Sequence, residues 1–226
     1  KDNNISILSD ESFITTKNFT HTAGLTGGAK GHLTLWAKGN AIPSPNPNNY
    51  CGGYIFINGD WTTTAATGNA STWQNLRAAL NAFPTDAMNS GNLARTGTGC
   101  AVNEEIEARK STSLNTNVQT RIQSDKDYIY ISGKFTHKGK DGGLFVQAAA
   151  SVTVAKETEI DFAANNGSGD AVIQSRASYV SFLKDFTYKG HQTTDLFIDG
   201  ETGVNFKNGT KIEYLPAVQA PNIGIQ

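Results

Sequence analysis

Two stretches of the chain carry nearly the same text. KFTHKGKDGGLFVQAAASVTV occupies 134–154, and DFTYKGHQTTDLFIDGETGVNF occupies 185–206. NFTHTAGLTGGAKGHLTLWAKGN at 18–40 opens in the same way, and AVIQSRASYVSF at 171–182 is a partial copy. Aligned on Phe19, Phe135 and Phe186, the copies read FTH, FTH and FTY. A Gly-rich or polar turn follows, then a strand-like run from Leu33 (LTLWA), Leu144 (LFVQA) or Leu196 (LFIDG). The second and third runs are each followed by an alternating triplet, Val152-Thr153-Val154 and Val204-Asn205-Phe206. The phrase of short strand, turn, short strand returns about every 25 residues over 128–214, a period typical of solenoids.

An alternating strand of three to five residues cannot bury its apolar face alone. Stacked on copies of itself, it makes a continuous sheet over an apolar interior. Period-2 alternation then turns Ile5, Ile7, Ile129, Ile131, Val152, Val154, Val180, Phe182, Val204 and Phe206 inward, and Thr153 outward. The fold class expected is all-β, a parallel β-helix. An antiparallel sandwich is the alternative, because Asn-Gly pairs at Asn58, Asn166 and Asn208 are hairpin signals.

The phrase is lost between Lys38 and Tyr128. Pro43, Pro45 and Pro47 open that segment, and Tyr54-Ile55-Phe56-Ile57 reads as an isolated strand ended by Asn58-Gly59. Ser71-Thr72-Trp73-Gln74 has the form of a capping box. Trp73, Leu76, Ala79, Leu80 and Phe83 follow at helical spacing until Pro84, which predicts a short helix near 72–83. The organisation expected is therefore first rungs over 1–42, a loop-rich insertion over 43–109, and continuing rungs over 110–226. Cys51 and Cys100, the only cysteines, lie in Gly-rich text of the insertion. They are either two thiols or a disulfide, and loop cysteines in a secreted chain tend to pair. A bridge would close a loop of about 50 residues and remove roughly 4 kcal/mol of unfolded-state entropy.

Net charge is −1, from 19 basic and 20 acidic residues that are interspersed along the chain. Neither a nucleic-acid partner nor an anionic membrane surface is expected from that balance. No run approaches the roughly 18–20 apolar residues of a membrane span. The chain begins at Lys1 with no signal sequence, and is read as a processed protein or a fragment.

Three phrases, GHLTLWAKGNAI (31–42), SLNTNVQTRI (113–122) and IYISGKFTHKGKDGGLFVQAAASVTV (129–154), resemble the repeats of the two-partner-secretion exoproteins, the filamentous-haemagglutinin-like family. The resemblance implies a right-handed parallel β-helix exported through an outer-membrane partner. It also implies roles in adhesion, haemolysis, haem-carrier capture or contact-dependent growth inhibition. The NPNG-type motif of that family's secretion domain is missing, so a downstream fragment is expected. The two cysteines also depart from the family's pattern.

The sequence has no GxSxG elbow, no P-loop and no GxGxxG motif. His21 and His137 follow Phe-Thr at equivalent positions, with Tyr188 in the third copy, and are expected as a surface ladder or turn residues rather than metal ligands. Asp161, Asp170, Asp185, Asp195 and Asp199 fall in turn-like text, where aspartate serves the backbone. The aromatic residues of the insertion, Tyr50, Tyr54, Phe56, Trp61 and Trp73, carry the binding expectation. Tyr50, Tyr54, Trp61 and Trp73 are the candidate contacts, with Trp61, in NGDWTTT, expected to be exposed. The function expected is an adhesin-like module, secreted or at the bacterial surface, that recognises a protein or glycan on a host or neighbouring cell and needs no cofactor. The competing readings are a receptor-binding segment of a growth-inhibition filament, capture of a haem-carrying host protein, and a polysaccharide-acting enzyme built on the same helix.

Overall fold

The computed structural model describes residues 5–9, 13–22, 33–37, 53–64, 118–125, 127–139, 143–163, 171–191, 194–214 and 223–226. Every strand among them is short, and each runs parallel to its neighbours. The strands are β1 (Ile5–Ser9), β2 (Ile14–Thr16), β3 (Phe19–Thr22), β4 (Leu33–Ala37), β5 (Ile55–Ile57), β6 (Trp61–Thr64), β7 (Val118–Ser124), β8 (Ile129–Ile131), β9 (Phe135–Lys138) and β10 (Gly143–Ala148). They continue as β11 (Val152–Val154), β12 (Thr158–Asp161), β13 (Ala171–Ser175), β14 (Tyr179–Phe182), β15 (Phe186–Gly190), β16 (Leu196–Gly200), β17 (Gly203–Phe206), β18 (Thr210–Tyr214) and β19 (Ile223–Ile225).

Every third strand joins the same sheet. The first sheet runs β1-β4-β7-β10-β13-β16-β19, the second β2-β5-β8-β11-β14-β17, and the third β3-β6-β9-β12-β15-β18. Each turn of the chain thus contributes one strand to each of three walls, and the whole is a right-handed parallel β-helix. The sandwich alternative is replaced by this arrangement. The Asn58-Gly59 pair does not reverse the chain into a hairpin. It turns the chain from β5 in the second wall to β6 in the third, with Gly59 at φ +145°.

The interior follows from alternation and stacking. In the second wall Ile14, Ile55, Ile129, Val152, Val180 and Val204 pair in register, as do Thr16, Ile57, Ile131, Val154, Phe182 and Phe206. In the third wall Phe19, Trp61 and Phe135 stack, with centroids 4.6 Å and 6.4 Å apart. All but the terminal members of these columns are buried. Fully burying one such side chain contributes about 1.5–3 kcal/mol. Ile5, on the first rung, is 37% exposed because no earlier strand covers it among the described residues.

The corners carry small or hydrogen-bonding residues. Between the first and second walls stands the column Ala37, Ser124, Ala148, Ser175, Gly200. Ser124 Oγ donates to the Gly53 carbonyl and accepts from the Asp127 amide; Ser175 Oγ does the same with Ala150 and Ser178. Between the second and third walls, Asn18 Oδ1 accepts from the Asp60 amide at 3.0 Å, and Asp60 Oδ1 from the Lys134 amide at 2.8 Å. Each cap reaches the next rung, so the turns are bonded to one another along the axis.

The stretch 43–109 contains a rung. β5 and β6 stack between β2 and β8, and between β3 and β9, so the text from Tyr54 to Thr64 belongs to the solenoid and not to an inserted loop. Cutting out 43–109 would remove that rung. The helix expected near 72–83 and the Cys51–Cys100 pair lie outside the described residues.

Candidate functional site

Each wall also has an outer face, made by the residues that alternate with the core. The three faces differ. On the first wall the outer side chains Arg121, Gln123, Gln147, Val172, Gln174 and Asp199 are as buried as a core. Here Gln147 Nε2 donates to Gln174 Oε1 (2.5 Å), and Gln174 Nε2 to Asp199 Oδ2 (2.8 Å). Gln123 Nε2 and Trp36 Nε1 both donate to Asp125, at 2.5 Å and 2.7 Å. The Arg121 guanidinium lies 4.4 Å from the Trp36 ring centroid. Burial draws Arg121 down to about 10, partly countered by Asp125. An amide ladder of this kind holds rungs together and leaves little surface for a ligand.

The outer face of the third wall is polar and, apart from the buried Asp161, open. Thr20, Thr62, Thr136, Glu159, Thr187 and Lys211 form one column; Thr22, Thr64, Lys138, Asp161, Lys189 and Glu213 form the next. Lys189 Nζ sits 2.9 Å from Glu159 and 3.7 Å from Asp161, and the hydrogen bond to Glu159 is the main reason its pKa is raised. Alternating charges at strand spacing stabilise the sheet modestly.

The outer face of the second wall is aromatic over the first three rungs. Ile14, Ile55 and Ile129 point inward, so their neighbours point out. Phe13, Tyr54 and Tyr128 form one column, with centroids 4.7 Å and 5.2 Å apart and planes within 10° of parallel. Beside it Phe56 and Tyr130 stack at 5.7 Å. Tyr54, Phe56, Tyr128 and Tyr130 are partly exposed, and Phe13 is 46% exposed. Beyond these rungs one column continues as Thr153, Ser181 and Asn205, and the other carries a separate tyrosine, Tyr179, which is 42% exposed. Strand spacing of about 4.8 Å sets the ring spacing, so the rings are held in place by the backbone. Their faces are turned to one another, and what they offer outward is ring edges and tyrosine hydroxyls, which both donate and accept.

Of the residues expected to bind, Tyr54 lies in this ladder. Trp61 does not. It is 0% exposed, inside the third wall between Phe19 and Phe135, so the expectation of an exposed Trp61 is corrected. Tyr50, Trp73, Cys51 and Cys100 lie outside the described residues. His21 and His137 are corrected as well: both are buried and face inward, not on a surface ladder. Phe13, Tyr128 and Tyr130 were missed as contacts, although the signal was present. FITT (13–16), YIFI (54–57) and YIYI (128–131) are one phrase, with an aromatic just before each inward isoleucine.

Asp170 lies outside the described residues, and the other aspartates serve the structure. Asp185 Oδ1 accepts from the Gly209 amide (3.2 Å), Asp161 faces Lys189, and Asp199 ends the amide ladder. Among the described residues no three His, Cys, Asp or Glu side chains gather as a metal site, and no helix is long and apolar enough to cross a membrane. Compared with protein-family models, curated proteins and solved structures, the chain matches none.

Proposed function

We propose that the chain is a recognition module, secreted or displayed at the bacterial surface, that uses the outward aromatic ladder of the second wall to grip a protein on a host or neighbouring cell. The observation that carries this reading is the placement of Phe13, Tyr54, Phe56, Tyr128 and Tyr130 as one stacked two-column patch at one end of the face, where the later rungs carry only the lone Tyr179 among smaller polar residues. Tyrosine and phenylalanine lose little entropy on binding, and stacking has already fixed these rings. Anchors of this type dominate protein interfaces. A sugar ring stacks on an open aromatic face; here every ring of the patch has one face against a neighbouring ring, and Tyr54 has both, so a protein partner is favoured over a glycan. Adhesion, growth-inhibition receptor binding and haem-carrier capture are three partners for the same patch. Export of the whole protein would need an outer-membrane secretion partner.

The test is binding of the intact chain to host cells, to target bacteria and to a panel of host glycoproteins including haem carriers. The partner variant is Tyr54→Ser/Tyr130→Ser. Truncating two anchors is expected to weaken binding by roughly thirtyfold or more, at 2 kcal/mol or above for a hot spot. The circular-dichroism spectrum should be retained, because both residues are outside the core. Binding that survives the substitutions puts the contact elsewhere. Binding abolished by stripping glycans from the target, with the protein intact, makes the ligand a glycan.

A further inference from the structure

One interior column breaks the apolar rule. In the third wall His21, Thr63, His137, Ile160, Tyr188 and Ile212 pair in register. The later rungs fill the column with isoleucine and tyrosine, whereas the first three place imidazole, hydroxyl and imidazole in the same row. His21, Thr63 and His137 are all buried, His137 at 0% exposure. The Thr63 hydroxyl and His137 Nδ1 are 2.8 Å apart, and His137 Nε2 is buried with no hydrogen-bond partner. The Phe162 ring meets the imidazole edge to face at 5.5 Å.

Whichever ring nitrogen holds the proton of a neutral His137, a second proton would create a buried cation with one donor unmet. No carboxylate faces the ring to offset that charge among the described residues. On β9, Lys138 is exposed; on β12, Glu159 and Asp161 point outward to Lys189; β6 offers only Thr63; and on β3 the facing group is His21. Two rungs away, the Tyr188 hydroxyl is engaged with Thr194.

We propose that the His21–Thr63–His137 column is an acid-sensitive device: protonation of the two histidines opens the first three rungs while the rungs from β10 onward stay folded. Solenoid rungs interact only with their neighbours, so one end can melt without the other. Burial supports the direction, drawing His21 below its usual value and His137 to about 3. A histidine whose folded pKa is depressed leaves the unfolded chain binding more protons. The folded rungs are therefore at full stability above about pH 6.5, and lose it as pH falls toward the folded value. Within that window the open population gains about tenfold per pH unit for each histidine kept neutral. Tyr54, Phe56, Tyr128 and Tyr130 lie on or beside these rungs, but the device is a property of the fold and holds whatever the ladder binds.

Hydrogen exchange of the full chain, corrected for intrinsic rates and followed by peptide, at pH 7.5 and 5.0 tests it. Opening over 129–138 is expected to rise about thirtyfold or more, with 179–190 changed far less. The variant Thr63→Val/His137→Ile, which copies the apolar filling of later rungs, should flatten that rise by at least tenfold. Equal loss of protection in both regions, no loss in either, or an unaltered rise in the variant overturns the proposal. If the variant does not fold, the wild-type imidazole resonances decide. Those of His137 should stay neutral until the amide signals of β6 and β9 vanish; titration near pH 6.5 with those signals unmoved overturns it.

Discussion

Trp61→Ala is expected to destabilise the protein by about 3–5 kcal/mol, while Trp61→Phe changes stability by no more than about 1 kcal/mol. The indole is wholly buried, between the rings of Phe19 and Phe135. Alanine would leave a void in a stack that parallel strands hold at fixed spacing, so the neighbours cannot close it by collapse. Native domains hold about 5–15 kcal/mol in total, so this single change takes away a large share. Phenylalanine copies the residues above and below and leaves a much smaller gap. It also removes the indole N–H, which is buried without a partner, and relief of that penalty of about 1–3 kcal/mol offsets the lost volume. Denaturant midpoints of the two variants measure the difference. A mild alanine variant would mean that Trp61 lies at a loosely packed or solvated site.

That asymmetry also shows where the sequence was legible. The repeat alone implied a parallel β-helix, because only stacking can bury strands as short as Val152–Val154. The inward set from Ile129 to Phe182 followed from alternation. The second rung was harder to see, since long stretches of other text separate its strand β4 from β5, and β6 from β7. Yet GDWTTT (59–64) is the same phrase as GKFTHK (133–138), with tryptophan standing for phenylalanine. Reading Trp61 as the start of a loop, and not as the fourth member of the Phe19, Phe135, Phe186 alignment, placed it on the surface. The histidines failed for a related reason. In a Phe-Thr-His strand the first and third residues share a face, so a buried Phe135 requires a buried His137. Histidine is intermediate in its tendency to be buried, so its identity alone did not reveal that consequence. The aromatic ladder was half visible: Tyr54 and Phe56 stood out, but their partners Phe13, Tyr128 and Tyr130 could be joined to them only once the rung register was fixed.

A corner glycine supplies the second large effect, of a kind that no alignment of rungs predicts. Gly133→Ala is expected to cost about 3 kcal/mol or more, at or beyond the upper end of overpacking penalties. A Cβ at Gly133 would lie 2.3 Å from the Gly59 carbonyl carbon, 2.4 Å from its oxygen and 2.4 Å from Asp60 Oδ1. Two of those three atoms are backbone and cannot swing aside. The third is tied to the Lys134 amide by a 2.8 Å hydrogen bond. The Gly133 amide also donates to the Gly59 carbonyl at 3.1 Å, so relieving the clash means prising the second rung from the third. Lys184 stands at the matching corner two rungs later, so the position does not demand glycine in general. The demand arises here because Gly59, at φ +145°, brings its own backbone against the next turn. Gly209→Ala is the control. There a Cβ would meet the Asp185 carboxyl group at ordinary contact distance, Oδ1 at 3.6 Å and Cγ at 3.9 Å, and the change should stay within about 1 kcal/mol. Equal denaturant midpoints for the two alanine variants would show that the corner between β8 and β9 can shift, and that the rungs are less rigidly bonded at their turns than these distances imply.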